Sequence, residues 1–385
     1  MYTQFGLLGY CSNIHPGEIW EEHFQELQNN VPKIKELVSP KQSFGLGLRI
    51  ANLASIELFE NPLKLQELKN WLQKEDVFVY TLNGFPFGGF HKEIVKDQVH
   101  TPDWTTFERL EYSKRLAQIL VQILPETLQT AGLSTSPLSY KFWWNADSIQ
   151  SAFEKSNKHI LDLVDFLVDL KSKTGKSIHL DIEPEPDGLL GNHQEFVKWF
   201  EKLVESNPEK ELQIREHIQI CFDVCHYAVS FDSIEDSLKE LKEKGIGIGK
   251  IQISSALRVD LGEQKDEKLV ALKAYEEPIY LHQVRAKNSS DKIIEFGDLS
   301  EALIPLKEDF KEARIHFHIP IFLDNFGLID STQEEIRKSI QLQKLHAYTE
   351  QLEIETYTWG VLPKELQKPM EESIAREIDW VLKQL

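Results

Sequence analysis

Carboxylates and imidazoles recur in this chain where apolar runs end. The sites are Asn13-Ile14-His15, Asn83 through Phe85 to His91, Glu183-Pro184-Glu185-Pro186-Asp187, Asp223-Val224-Cys225-His226, and Glu355-Thr356-Tyr357-Thr358-Trp359. Brought to one mouth, such groups are what a divalent cation needs. Zn²⁺ takes imidazole nitrogen and carboxylate oxygen, and Mn²⁺ takes carboxylate with water. Glu183, Asp223 and Glu355 lead the set, because acidic run ends gathered without a cation would repel one another. The alternative for any single one is a helix cap or a surface carboxylate. Asp223 and His226 form a D-x-x-H pair in which one residue ligates while the other orients. His316 and His318 are two apart, so on a strand they share one face and can chelate; the alternative is two histidines stacked on a polar sheet face. His282 is a further metal candidate. Glu183 and Glu355 are also the candidates for proton transfer. Pro184 and Pro186 hold Glu185 extended beside Glu183, where it can meet a substrate. The remaining substrate-contact candidates are Asn13, His15, Asn83, Phe85, His91, Gln252, Tyr357 and Trp359.

Elements that could gather these residues are visible in the pattern. Short β-type runs lie at Gly6–Ile14, Phe44–Ile50, Val77–Asn83, Gly132–Pro137, Ile178–Glu183, Gln219–His226, Lys250–Ser255 and Leu352–Trp359. Helical spacing occupies Pro16–Leu37, Ser151–Lys171 and Ser233–Lys244. Ser233 is placed to cap the last of these, and Asp147 or Ser148 the second. Strands alternating with helices imply parallel pairing and crossover connections. Eight such strands close a TIM (β/α)8 barrel, whose active site lies at the C-terminal strand ends. The expected fold is therefore α/β, a TIM barrel with an insertion before the last strand. It is read as a single domain over residues 1–385, elaborated at about 256–351. Within that insertion the pattern predicts a hairpin strand at Ile279–Val284 and helices at Ser300–Ala313 and Thr332–Thr349.

Composition narrows the classes of function. The chain has 385 residues, 43 Lys+Arg against 62 Asp+Glu, and a net charge of −19. A polyanionic partner would need a basic face built against that field, so no nucleic acid is expected. The three cysteines, Cys11, Cys221 and Cys225, do not read as a disulfide framework. No signal peptide and no membrane segment are expected, and the cytoplasm is the expected compartment.

Several longer strings resemble the EboE family, a branch of the xylose isomerase-like TIM barrels. They are GYCSNIHPGEIW, FGLGLRI, YTLNGFPFGGFH, VKDQVHTPDW, LSTSPLSYK, DIEPEPDG, ARIHFHIPIF and IETYTWGVLP, together spanning nearly the whole chain. CFDVCHYAVSFD looks like the D-x-x-H strand end of the wider superfamily, which includes sugar epimerases and metal-dependent apurinic endonucleases. The resemblance implies a divalent metal, Zn or Mn, on Glu183, Asp223, His226 and Glu355. Gln252 stands where the superfamily often has His, and Tyr280 where it has Asp before His282. The metal set is then smaller, or completed by His316 or His318. The family implies metabolite traffic, with a small-molecule metabolite and other proteins of an export pathway as partners. The reactions it allows are isomerase or epimerase chemistry, with a phosphoesterase or a non-catalytic carrier as alternatives.

Overall fold

Apolar runs buried on both faces favour parallel strands covered by helices. The computed structural model of the chain describes residues 1–89, 96–276, 281–359, 364 and 367–385. A short strand β1 (Tyr2–Thr3) pairs antiparallel with β2 (Gly6–Tyr10). The parallel series continues through β3 (Phe44–Arg49), β4 (Val77–Asn83), β5 (Thr130–Thr135), β6 (Ser177–Ile182), β7 (Ile218–Asp223) and β8 (Ile248–Ile253). The last barrel strand, β15 (Gln351–Ile354), pairs in parallel with both β8 and β2. A parallel bridge between Cys11 and Gly47 brings β2 to β3, so the nine-stranded sheet nearly closes. The architecture is the expected α/β TIM barrel.

The outer helices follow their apolar stripes. Trp20–Val38 buries Trp20, Phe24, Leu27, Val31 and Ile34. Ile149–Thr174 ends at Gly175, whose φ of 75° suits a residue without Cβ. Ser148 precedes that helix without a side-chain cap bond, whereas the Ser233 hydroxyl accepts the Asp236 N–H at 3.3 Å and starts Ile234–Glu243. Among the described residues no helix is long and apolar enough to cross a membrane.

Between β8 and β15 the chain builds a second sheet. Its strands are β9 (Leu257–Asp260), β10 (Val284–Asn288), β11 (Ile293–Phe296), β12 (Phe310–Ile315), β13 (Asn325–Phe326) and β14 (Ile329–Ser331). They pair antiparallel in the order β11-β10-β12-β9-β14-β13. Leu257, Val259, Val284, Ala286, Ala313 and Ile315 belong to a separate apolar cluster beneath this sheet. This corrects the expected helix at Ser300–Ala313. Only Leu299–Ala302 is α-helical and Pro305–Lys307 is a 3₁₀ turn, while Phe310–Ile315 is β12. Ala313 and Ile315, two apart, are buried, and partners on both sides supply the ladder that overrides helix propensity. The helix expected at Thr332–Thr349 is present as Gln333–His346. The predicted hairpin strand begins at Val284, and residues 279–280 lie outside the described set. A second correction concerns β7. It ends at Asp223, and Val224–Val229 is helical, so His226 sits on a helical turn rather than on a strand.

The barrel interior below the mouth is charged. Lys250 on β8 and Glu353 on β15 form an ion pair with neither side chain exposed. Burial pulls the Lys250 ammonium down, but Glu353 beside it holds it up, and the net position is well above the usual lysine range. Gly47 makes room for this pair: a Cβ there would lie 1.6 Å from Glu353 Oε1. Gly249 does the same for Asp181, with 1.9 Å to Oδ1.

Candidate metal centre

Strand β7 delivers Asp223 as the cap of the short helix that follows it. Asp223 Oδ1 accepts the His226 N–H (3.1 Å) and the Ser254 hydroxyl (2.7 Å). Its other oxygen, Oδ2, is buried and makes no hydrogen bond. The cap also sets the ring of His226, whose Nδ1 donates to the Pro184 carbonyl at 2.9 Å. His316 and His318 arrive from the second sheet, on the extended segment that follows β12. His316 Nδ1 bonds Gln283 Oε1 at 2.7 Å, and His318 Nδ1 bonds the Glu355 carbonyl at 3.1 Å.

The three rings converge through their remaining nitrogens. His226 Nε2 lies 3.1 Å from His316 Nε2, which lies 3.2 Å from His318 Nε2. Each Nδ1 faces an oxygen that only accepts, so each neutral ring carries its proton there and turns an Nε2 lone pair inward. Facing lone pairs cannot hydrogen-bond one another; a cation between them removes the repulsion. Nδ1 held by a carbonyl is also how a metal-binding histidine is oriented.

The acidic residues complete the donor set. Glu183, Asp223 and Glu355 each place an oxygen within 4.8 Å of the others. Asp223 with His226 and His318 makes a second grouping at that range, Glu185 with His226 and His316 a third, and Cys225 with His316 and His318 a fourth. Glu183 Oε2 and Glu185 Oε2 are buried without hydrogen-bond partners. Glu355 is held instead: Oε1 accepts from Asn13 (2.5 Å) and Asn83 (3.3 Å), and Oε2 from Gln252 (2.8 Å). Burial, then the charges of Glu355 and Asp223, push Glu183 well above the usual carboxylate range. Burial raises Glu355 to about 7 and Glu185 to about 8. It pushes His226 and His316 well below the usual imidazole value, helped in each case by a neighbouring histidine.

Glu183, Glu185, Glu355 and the three histidines line a cavity of about 90 Å³. Asn13, Asn83, Phe85, Glu185 and Tyr357, expected to meet substrate, are on its wall together with Glu183, His226, His316, His318 and Glu355. The Tyr357 ring stacks on His318 with centroids 5.0 Å apart. Gln252 lies beneath Glu355, bridging it to Cys221, whose Sγ–H donates to Gln252 Oε1 at 2.8 Å. The remaining expectations fall elsewhere. His282 packs on Phe317, with its Nδ1 3.2 Å from the His316 carbonyl. His15 meets the Tyr10 hydroxyl at 2.8 Å, and the Trp359 indole donates to Glu377 at 3.2 Å. His91 lies outside the described residues.

Three contributors carry no signal in the sequence, because each stands alone without a partner at fixed spacing. Lys96 lines the cavity and pairs with Asp298 of the second sheet's margin. Gln283 joins His316 to the loop after β6. His100 is fully buried between Phe85 and Tyr140, its Nε2 3.7 Å from Glu185 Oε2. Burial lowers its pKa to about 3, so it is neutral.

The shifts predict an unusual pH response for the metal-free chain. Glu355 and Glu185 keep protons in the folded state that the unfolded chain has released above about pH 4.5. The folded form binds more protons, so these groups make stability fall as pH rises from about 4.5, and the fall ends only above their folded values of about 7 and 8. Buried neutral histidines act oppositely, but only below about pH 6.5. Chelator-treated protein is therefore expected to show a lower urea midpoint at pH 8.5 than at pH 6.5, and a saturating divalent cation to remove the difference. A flat midpoint without metal would contradict these assignments.

No protein-family model matches the chain, and no match is found among curated protein sequences. Among solved structures, the chain aligns with a xylose isomerase-like TIM barrel protein from Mycobacterium smegmatis in complex with magnesium. The TM-score is 0.54 at 10% identity, over 100% of this chain and 98% of that one. A zinc-bound IOLI protein aligns at TM-score 0.49 and 14% identity, over 98% and 97% of the two chains. A probable 3-DHS dehydratase, AsbF, from Bacillus anthracis aligns at 0.44 and 10%, over 98% of each. The alignment with the magnesium-bound protein shows a shared fold, an α/β TIM barrel.

Proposed function

We propose that the chain is a divalent-metal-dependent enzyme of the isomerase or epimerase type, acting on a small polar metabolite. The observation that carries this is the set of three imidazole Nε2 lone pairs meeting at 3.1–3.2 Å beside unpartnered carboxylate oxygens. The donor set fits a divalent cation: nitrogen from His226, His316 and His318, oxygen from Glu183, Asp223 and Glu355. Zn²⁺ suits the nitrogen-rich side and Mn²⁺ the oxygen-rich side. Bound there, the cation would polarise a carbonyl or a hydroxyl pair of the substrate.

The protein groups divide the remaining work. Glu355, pinned by three amides, is held in one pose. Glu183 has an oxygen without a hydrogen-bond partner at the cavity, and it is the group that takes and returns a carbon-bound proton. Asn13, Asn83 and Glu185 orient substrate hydroxyls. Phe85 and Tyr357 wall the cavity and exclude water. The net charge of −19 disfavours a nucleic-acid duplex as substrate. From the EboE resemblance we place the reaction in traffic of a secondary-metabolite precursor. One barrel domain would act in the cytoplasm with proteins of an export pathway.

The test is proton exchange. Metal-loaded protein is incubated with short aldoses, ketoses and cyclitol ketones in deuterium oxide, followed by NMR. The expected result is metal-dependent loss of one C–H signal, abolished by Glu183→Gln. Hydrolysis of a phosphate monoester without exchange would replace this reading with a phosphoesterase. Binding with neither reaction would replace it with a carrier.

A further inference from the structure

We infer that Gln283 is a positioning residue that ties the metal centre to the loop carrying Glu185, through a single amide. The inference rests on the metal reading above. Gln283 is buried, and its backbone carbonyl accepts the His316 N–H at 2.9 Å. Its side-chain Nε2 donates to the Pro186 carbonyl at 3.1 Å and lies 3.4 Å from Glu185 Oε1. A carbonyl only accepts, so Pro186 fixes which end of the amide is nitrogen. Oε1 must then face His316 Nδ1, where it is found at 2.7 Å. That bond puts the imidazole proton on Nδ1 and leaves the Nε2 lone pair for a cation.

The same amide keeps Glu185 from taking that place. Glu185 Oε1 is 3.6 Å from His316 Nδ1, a second acceptor within reach of the ring. Without the amide the carboxylate can swing onto the ring, leaving the cavity wall. Two residues further on, Arg285 donates to Asp187 at 2.6 Å with both side chains buried. The start of β10 is thereby seated on the Glu183–Asp187 loop at two points. Gln283 is the point at which the second sheet sets both a histidine of the centre and a carboxylate of the barrel.

The test compares Gln283→Leu and Gln283→Glu with the wild-type chain, titrated with Co²⁺ after removal of metal. Binding constants and the visible absorption of the bound ion are both read, with circular dichroism reporting the fold. Gln283→Leu is expected to weaken Co²⁺ about 10–100-fold and to change the absorption, as loss of a partner behind a ligand does. Gln283→Glu keeps an acceptor for His316 but sets an oxygen against the Pro186 carbonyl and Glu185 Oε1, so it separates the bond to the ring from the tie to the loop. It is expected to lose less affinity than Gln283→Leu and to keep the wild-type absorption. Wild-type affinity and spectrum in a folded Gln283→Leu would overturn the inference, as would equal losses in both variants. If Gln283→Leu does not fold, Gln283→Glu decides: a wild-type spectrum supports the role and a changed one overturns it. Failure of the wild-type chain to bind Co²⁺ would instead overturn the metal reading.

Discussion

Asp223→Asn is expected to lower the affinity of the chain for a divalent cation by more than about 100-fold, beyond the range typical of losing a supporting partner. The reason lies in the separate duties of the two oxygens. Oδ1 accepts from the His226 backbone and from Ser254, which starts the helix and sets the ring of His226. Asparagine can keep both bonds through its own Oδ1. Oδ2 is the unpartnered atom, within reach of the two facing carboxylates and 3.9 Å from His318 Nε2. In asparagine that position becomes an NH₂ group with no lone pair to offer. The fold should survive and the metal-free protein should not lose stability, because one of three crowded acids has been removed. Calorimetric titration with Zn²⁺ and Mn²⁺ reads the effect. Unchanged affinity would remove Asp223 from the centre. Asp223→Ala is a poorer probe, since it also removes the helix cap, worth about 0.5–2 kcal/mol.

The largest expected loss of stability comes from the barrel interior. Lys250→Met leaves Glu353 buried and uncompensated, at a cost of about 3–5 kcal/mol. Glu353 Oε1 already lacks a hydrogen-bond partner, and a Cβ at Gly47 would clash with it, so the carboxylate has little room to move toward relief. Lys250→Met combined with Glu353→Leu removes both charges and is expected to recover most of the loss. Urea unfolding measures this as a lower midpoint with an unchanged slope in the single variant. A single variant within about 1 kcal/mol of wild type would show that the pair is better solvated than its burial implies.

The two sheets differ in how well the sequence announces them. The barrel strands are short, apolar and flanked by amphipathic helices, so their positions and the acidic strand ends Glu183, Asp223 and Glu355 follow from periodicity. The second sheet does not announce itself. Phe310-Lys311-Glu312-Ala313-Arg314-Ile315 is rich in helix formers and buries only Ala313 and Ile315 fully. Its strand state depends on partners at Leu257–Asp260 and Val284–Asn288, tens of residues away. The histidine pair of that sheet is visible as H-x-H, but its meeting with His226 is a product of the fold. His226 itself shows why local patterns mislead: the apolar run into Asp223 reads on as strand, yet the aspartate caps a helix. Lys96, His100 and Gln283 have no local pattern at all, and only tertiary structure brings them to the mouth.

The central claim is a cation centre built jointly by the barrel and the second sheet. It is tested most directly by elemental analysis of the chain, purified without chelators and then reconstituted with Zn²⁺ or Mn²⁺, beside a His316→Ala/His318→Ala variant. The account predicts at least one ion per wild-type chain and its loss from the folded variant. A wild-type chain that retains neither ion, or a variant that retains the same ion as fully, would contradict it.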